Sequence, residues 1–433
     1  MKFDAFPLPN RVSSLIIVRG LRSFSQGYLN IITPLYLLSI GLSAAGLGLL
    51  LTASFIVGAV LLVPVGALAD RYGRKQFLIA FCALTILWGT TYLITKWLPV
   101  LFIISALAGI GRGGGSFAGS QAGPFAPAEQ ALMADLVPSH RRVTVFALNA
   151  FVASILAAAG SLLSGLPSWL KGFGLDLPIG GDNLLFLVTI IIAVLSVPIL
   201  LTVPESIRSE RKEKNDEPEK PKRSFLRKES AVNVSKISIA ATFNSFGMGF
   251  MGSSLFVVWL NLRYHVGAGV IGPVFAVSYF LTGLTILGAP SLAGRFGSVH
   301  AIVATRIAAA ALLGIVVIAP TFLYAAALYV GRLIFSGMIL PVRQSFTMGL
   351  FQSEERATAA GITGSVRRMT GAISPSLSGE LMELGYLESP FLIGGILQGA
   401  SAVLYAKFFL SKDSSRNAQD QYASPEAREK SET

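Results

Sequence analysis

Eight arginines fall inside otherwise apolar runs of this chain: Arg19, Arg22, Arg112, Arg306, Arg332, Arg343, Arg367 and Arg368. Among the acids, Glu129 is well inside such a run, while Asp135 and Glu380 sit nearer the ends of theirs. An ionised side chain costs so much to bury in such a setting that each one marks a functional position by default. A guanidinium presents a planar fork of donors that matches carboxylate and phosphate. Arg22, Arg332 and Arg367 are therefore candidates for holding an anionic or zwitterionic substrate. The competing reading is structural, with the same forks bonding helix carbonyls and locking neighbouring segments. Glu129 is the candidate for carrying a coupling proton, because a carboxyl that moves between water and a closed pocket changes its proton affinity.

Catalytic chemistry has no comparable footing. His140, His265 and His300 are scattered, no Cys/His spacing suits a metal, and no serine triad is visible. The single Cys82 excludes an internal disulfide. Gly109-x-Gly111-x-x-Gly114 matches the dinucleotide fingerprint as a string, but that motif needs a preceding strand and a βαβ unit. No catalytic residue, metal or cofactor is expected, and the chain is not expected to be an enzyme. A membrane enzyme and a non-transporting sensor or adaptor are the rival classes.

The elements that must position these charges follow from composition. Of 433 residues, 53% are hydrophobic and 13% charged, against about 25% charged in soluble domains. Apolar stretches long enough to span a bilayer, about 20 residues, recur near 12–40, 46–68, 76–96, 100–135, 143–166, 184–203, 234–260, 268–290, 298–318, 320–350, 357–381 and 387–410. They are too long and too little alternating for barrel strands, so helices are the remaining way to satisfy the backbone in lipid. The fold class is an all-α membrane protein of twelve transmembrane helices.

The formal charge of +12 is a matter of topology and not of nucleic-acid binding. With the N-terminus inside, the inner loops carry Arg71, Arg74, Lys75, Arg141, Arg142, Arg295 and Arg356, with the 205–230 segment and the tail. The outer loops carry Lys96, Lys171 and Arg263. That asymmetry is the positive-inside rule, and it puts both termini in the cytoplasm of a multi-pass protein of the cell membrane. Arg19 and Arg22 interrupt the first apolar segment, which is expected to stay as the first span and not be cleaved. Residues 205–230 read as a charged flexible linker between six-helix bundles at 1–204 and 231–410, and 411–433 as a disordered cytoplasmic tail.

The two halves repeat. Arg22-Ser23-Phe24-x-x-Gly27 aligns with Asn244-Ser245-Phe246-x-x-Gly249 at an offset of 222 residues. Leu68-Ala69-Asp70-Arg71-Tyr72-Gly73 aligns with Leu292-Ala293-Gly294-Arg295-Phe296-Gly297 at 224. Pro127-Ala128-Glu129-Gln130 aligns with Pro341-Val342-Arg343-Gln344 at 214, as do Arg142 with Arg356 and Ser164-Gly165 with Ser378-Gly379. The drop from 224 to 214 assigns about ten extra residues to the Gly-rich run 109–123. That run either unwinds at a binding site, or forms an outer loop or close helix contact. Glu129 and Arg343 occupy equivalent positions, which makes them the candidate ion pair closing the cytoplasmic side; the alternative is a separate local network for each. Arg367 lies eleven residues beyond Arg356, about 16 Å deeper at the helix rise and close to the midplane.

The decade Gly66-Ala67-Leu68-Ala69-Asp70-Arg71-Tyr72-Gly73-Arg74-Lys75 resembles the signature loop of the major facilitator superfamily, and the likeness extends over the whole chain. The resemblance implies two pseudo-symmetric six-helix bundles rocking about a midplane site. It implies that Gly66, Asp70, Arg71, Gly73 and Arg74 brace the cytoplasmic face, with Asp70, Arg74 and Asp135 in a charge relay. The second-half copy has Gly294 in place of Asp70, so an equivalent relay is not expected there. Arg112 only loosely suggests the family's fourth-helix arginine motif. The expected function is secondary active transport of a small organic solute, proton-coupled, by one chain acting as a monomer in the lipid bilayer. The runs at Pro127 and Pro341 resemble an uncharacterised prokaryotic branch with drug-efflux members, so multidrug efflux stands as the alternative.

Overall fold

The computed structural model describes residues 10–112, 129, 132–133, 136–137, 142–174, 181–203, 227–351 and 355–422. The first half comprises α1 (Asn10–Ser39), α2 (Ala44–Tyr72), α3 (Arg74–Ile94), α4 (Leu98–Arg112), α5 (Arg142–Leu163), α6 (Leu166–Gly172) and α7 (Gly181–Leu201). The second comprises α8 (Lys228–Gly249), α9 (Ser253–Tyr264), α10 (Ala268–Phe296), α11 (Ser298–Val316), α12 (Phe322–Met338), α13 (Leu340–Gly349), α14 (Arg356–Glu383) and α15 (Ser389–Tyr422).

Among the described residues, nine segments are long and apolar enough to cross a membrane. The other expected spans correspond to α1, α4 and α14. Arg19 and Arg22 interrupt α1, while Arg367, Arg368 and many Gly, Ser and Thr residues dilute α14.

Two spans expected to be continuous are interrupted. The seventh is α8 and α9, separated at Phe250–Gly252, and Ser378 donates its hydroxyl to the carbonyl of Phe250 at 3.0 Å. A backbone group released within a span needs such a partner. The tenth is α12 and α13, and Pro341 stands in the first turn of α13, where its missing N–H costs nothing. A third difference is at the end of the chain. The tail expected to be disordered from Ser411 continues α15 as far as Tyr422, over a stretch with no Pro or Gly to stop it.

The helices pair in the same way in both halves. α1 packs on α5 as α8 packs on α14, α3 on α7 as α11 on α15, and α2 on α4 as α10 on α12. The halves join through α2 against α14 and α5 against α10, again an equivalent pair. The α2–α3 turn is made by Gly73 at φ 104° and the α10–α11 turn by Gly297 at φ 82°, a left-handed conformation that favours glycine. The family-like turn and its degraded copy thus keep the residue that the backbone demands.

One end of the molecule, the near face, carries the start of α1 and the turns at Gly73 and Gly297. At the opposite end, the far face, a single buried cluster takes side chains from both halves, including Tyr28, Tyr36, Trp88 and Phe186 with Phe256, Trp259, Phe275 and Tyr329. Toward the near face the buried residues form two separate clusters. Val12, Leu15, Leu78, Leu132 and Val145 belong to the first half, and Val234, Ile237, Val299, Ile302 and Phe409 to the second. The halves therefore share one core at the far face and keep their own cores at the near face.

Shape allows that far-face union. A Cβ at Gly48 would run into the carbonyl of Pro375, and one at the equivalent Gly272 into the carbonyl of Ser161. Lipid offers no hydrophobic drive for helix association, so backbones that approach this closely hold together by packing. Thr52 adds a side-chain bond to Ser376 at 2.9 Å.

Candidate functional site

A cavity of about 360 Å³ lies among helices of the second half. Its polar wall includes Asn244, Arg306, Arg343, Thr363, Arg367 and Tyr405, and no acid is among its described lining residues. Helical periodicity sets this wall. Ala241 and Asn244 share one stripe of α8, and Ala360, Thr363 and Arg367 share one of α14, at spacings of three and four residues.

Arg306 is buried on α11, donates from Nη1 to Ser401 Oγ at 3.1 Å, and stands 5.0 Å over the ring of Tyr405. Arg343 is half-buried on α13, and Arg367 projects openly from α14. Three guanidiniums facing one cavity make it strongly electropositive, because low-dielectric walls concentrate the field of fixed charges.

The first half carries a different cluster at its own interior. Glu129 is buried, with Oε2 at 3.7 Å from Arg19 Nη1 and 3.9 Å from Arg22 Nη1. Asn149 donates from Nδ2 to Glu129 Oε1 at 3.4 Å. Arg19 and Arg22 are one turn apart on α1, so both guanidiniums reach one carboxylate. The space left beside Arg22, lined also by Cys82, Thr85 and Ser196, is about 30 Å³.

The structure sorts the sequence candidates. Arg367 lines the large cavity, whereas Arg22 belongs to the Glu129 cluster. Arg332 is buried on α12 with its guanidinium 5.6 Å from the ring of Tyr329, away from the cavity wall. Arg343, expected at a gate, is in the cavity wall, and Glu129 is with Arg19 and Arg22. Arg306 was not selected from sequence, although it stands 224 residues after Cys82, the signature-loop offset, and so at the place equivalent to a residue beside Arg22. Gly66 lies within α2, Gly73 forms the turn, and Arg74 opens α3. Next to it Lys75 donates from Nζ to the carbonyl of Leu201 at 2.8 Å, tying α3 to α7. The side chains of Asp70, Arg71 and Arg112, all of Asp135, and the Gly-rich run beyond Arg112 lie outside the described residues.

Polar clasps reinforce the far face. The carboxylate of Glu383, at the end of α14, accepts the backbone N–H of Ala45 at 2.9 Å in the first turn of α2. Asn30 donates to Tyr279 Oη at 3.3 Å across the halves, and Arg263 pairs with Glu388 within the second half. The Ser43 hydroxyl and the Ala45 N–H hold the Glu383 carboxyl below its ordinary range, which is about 4.3. A depressed carboxyl stabilises its bonded state above the ordinary value and loses that contribution as pH falls through the lowered one. Spin labels at Ser39→Cys and Tyr386→Cys, on a Cys82→Ser background, should report a fixed far-face distance at pH above the ordinary carboxyl range and a broader one once the pH falls well below it. Glu383→Ala should give the broader distribution at every pH; a distribution unchanged by pH and by the variant would remove Glu383 from the clasp.

Comparison with known proteins agrees with this architecture. The sequence model of the Major Facilitator Superfamily matches residues 15–335 and 237–431. The uncharacterized membrane protein YJR124C of Saccharomyces cerevisiae is 22% identical over 421 residues, covering 91% of this chain and 92% of its own. The crystal structure of a D-xylose–proton symporter superposes with a TM-score of 0.68 at 17% identity, over 92% of this chain and 98% of that one. That of the human organic anion transporter MFSD10 gives 0.61 at 13% identity, over 92% and 99%.

Proposed function

The chain belongs to the major facilitator superfamily; it is a multi-pass membrane transporter and not an enzyme, and we propose that its substrate is a small organic anion. The cavity walled by Arg306, Arg343 and Arg367, with no acid among its described lining residues, carries this reading. A cationic drug would meet three like charges there, which argues against efflux of amphipathic cations. The positive-inside count puts the near face in the cytoplasm, so this conformation is open inward, and transport proceeds by joining the halves at the near face while parting them at the far one. Proteoliposomes should take up organic anions and not cationic dyes, and Arg343→Ala should reduce anion uptake at least tenfold, the effect of losing one charged hydrogen-bonding partner. Saturable dye transport unaffected by Arg343→Ala would replace this reading with drug efflux.

Closure of the near face needs contacts that the inward-open form does not use. Glu129 and Arg343 stand at equivalent positions, and we assign them to that closure as an inter-half pair. Labels at Gln76→Cys and His300→Cys, exposed on the near face, should show that Glu129→Arg and Arg343→Glu each abolish the closed distance and that the double swap restores it. No restoration would separate the two residues.

The proton is the coupling ion in this scheme, with Glu129 its carrier, a reading supported by the superposed proton symporter. Glu129→Gln should leave uptake insensitive to an imposed pH gradient; full gradient-driven accumulation in that variant would exclude the role.

A further inference from the structure

The offsets that align the halves also align their two interior clusters. At 222 residues Arg19 corresponds to Ala241 and Arg22 to Asn244; at 224 Cys82 corresponds to Arg306; at 214 Glu129 corresponds to Arg343 and Asn149 to Thr363. All five second-half residues line the large cavity, and the first-half five form or adjoin the Glu129 cluster. One ancestral position thus exists in two versions. In the first half two arginine side chains fill the space and enclose a carboxylate supplied by the chain. In the second half Ala241 and Asn244 leave that space hollow, and Arg343 on α13 stands where the first half has its carboxylate.

The guanidiniums of the second version set the ligand's valence. In the first half two arginines converge on one carboxylate. The second presents Arg306, Arg343 and Arg367 with no acid among the described lining residues, and Arg367 corresponds to the uncharged Ala153. A dianion offers these three guanidiniums two oxyanion charges, where a monoanion offers one. We propose that the second-half cavity is a binding site for a small organic dianion, a dicarboxylate or a phosphate monoester, whose oxyanion stands in for the carboxylate that Glu129 provides in the first half. The volume of about 360 Å³ is near the lower end for ligand pockets, roughly 300–1,000 Å³, which suits a compact molecule. This inference rests on the cavity's being the substrate site and adds its charge.

Binding to the purified full-length protein, measured by titration calorimetry at pH 8, tests it apart from transport. Succinate and methyl phosphate carry two charges there, and butyrate and dimethyl phosphate of similar size carry one. The dianions should bind at least about tenfold more tightly, the worth of one further charged contact. Arg367→Gln removes one charge and should abolish that preference. Arg343→Glu puts a carboxylate of the chain itself beside Arg306 and Arg367, so it should bind none of the four probes and melt at a higher temperature than the unliganded parent. If Arg343→Glu does not fold, Arg367→Gln decides alone. Equal affinity for monoanions and dianions, or a preference unchanged by Arg367→Gln, overturns the dianion and leaves anion transport standing. No binding by any of the four overturns both. Preference for succinate over methyl phosphate, or the reverse, assigns the dianion to carboxylate or phosphate chemistry.

Discussion

A guanidinium in a low-dielectric interior has to be met by negative charge, by an aromatic face or by water, because removing it from solvent without compensation costs several kcal/mol. That constraint orders the whole interior. Arg19 and Arg22 share the carboxylate of Glu129, and Arg263 has Glu388. Arg306 and Arg332 lie over tyrosine rings, contacts worth about 1–2 kcal/mol when desolvated. Arg343 and Arg367 instead face an open cavity. The place where the protein leaves its arginines facing solvent is where a ligand has something to gain.

The duplicated chain has diverged where divergence carries function and stayed alike where geometry forbids it. Gly73 and Gly297 keep a backbone conformation that side chains resist, and Gly48 and Gly272 keep the close approach at the two inter-half seams. No such restriction applies at Glu129 and Arg343, whose side chains extend into the interior of their own bundles. There the charge has reversed. A symmetric scaffold with an asymmetric lining gives the two halves equal mechanical roles and unequal chemical ones.

Much of the fold was legible because apolar length and loop charge are one-dimensional quantities. The spans, the turn at Gly73 and the offsets between halves all follow from counting along the chain. The site was only partly legible, because depth along a helix says nothing of the direction a side chain takes around it. Arg332 and Arg343 both lie in the tenth span, yet the helix restarts at Pro341 between them, and one faces Tyr329 while the other faces the cavity. Arg22 stands against an acid that only the fold brings to it. The break at Phe250–Gly252 depends on Ser378 from a distant helix, which no local pattern announces. Arg306 was recoverable, since the repeat offset from Cys82 puts it at the site; pairing positions across the halves was more informative than reading each arginine by itself.

The charge asymmetry also bears on how the halves can move. Joining them at the near face would exclude water from the cavity, and each charge there would then interact far more strongly than in water. Arg306, Arg343 and Arg367 would repel one another in that state unless an anion entered with them. A bound dianion supplies it on the loaded stroke. On the empty stroke the available carboxylate at an equivalent position is that of Glu129, which would have to leave Arg19 and Arg22 for Arg343. Ligand and Glu129 would then be alternative partners for the same guanidinium, so the carrier closes when one or the other is in place. Coupling in such a device comes from the cost of closing over uncompensated charge, and the far-face core that both halves share sets the energy against which that cost is measured.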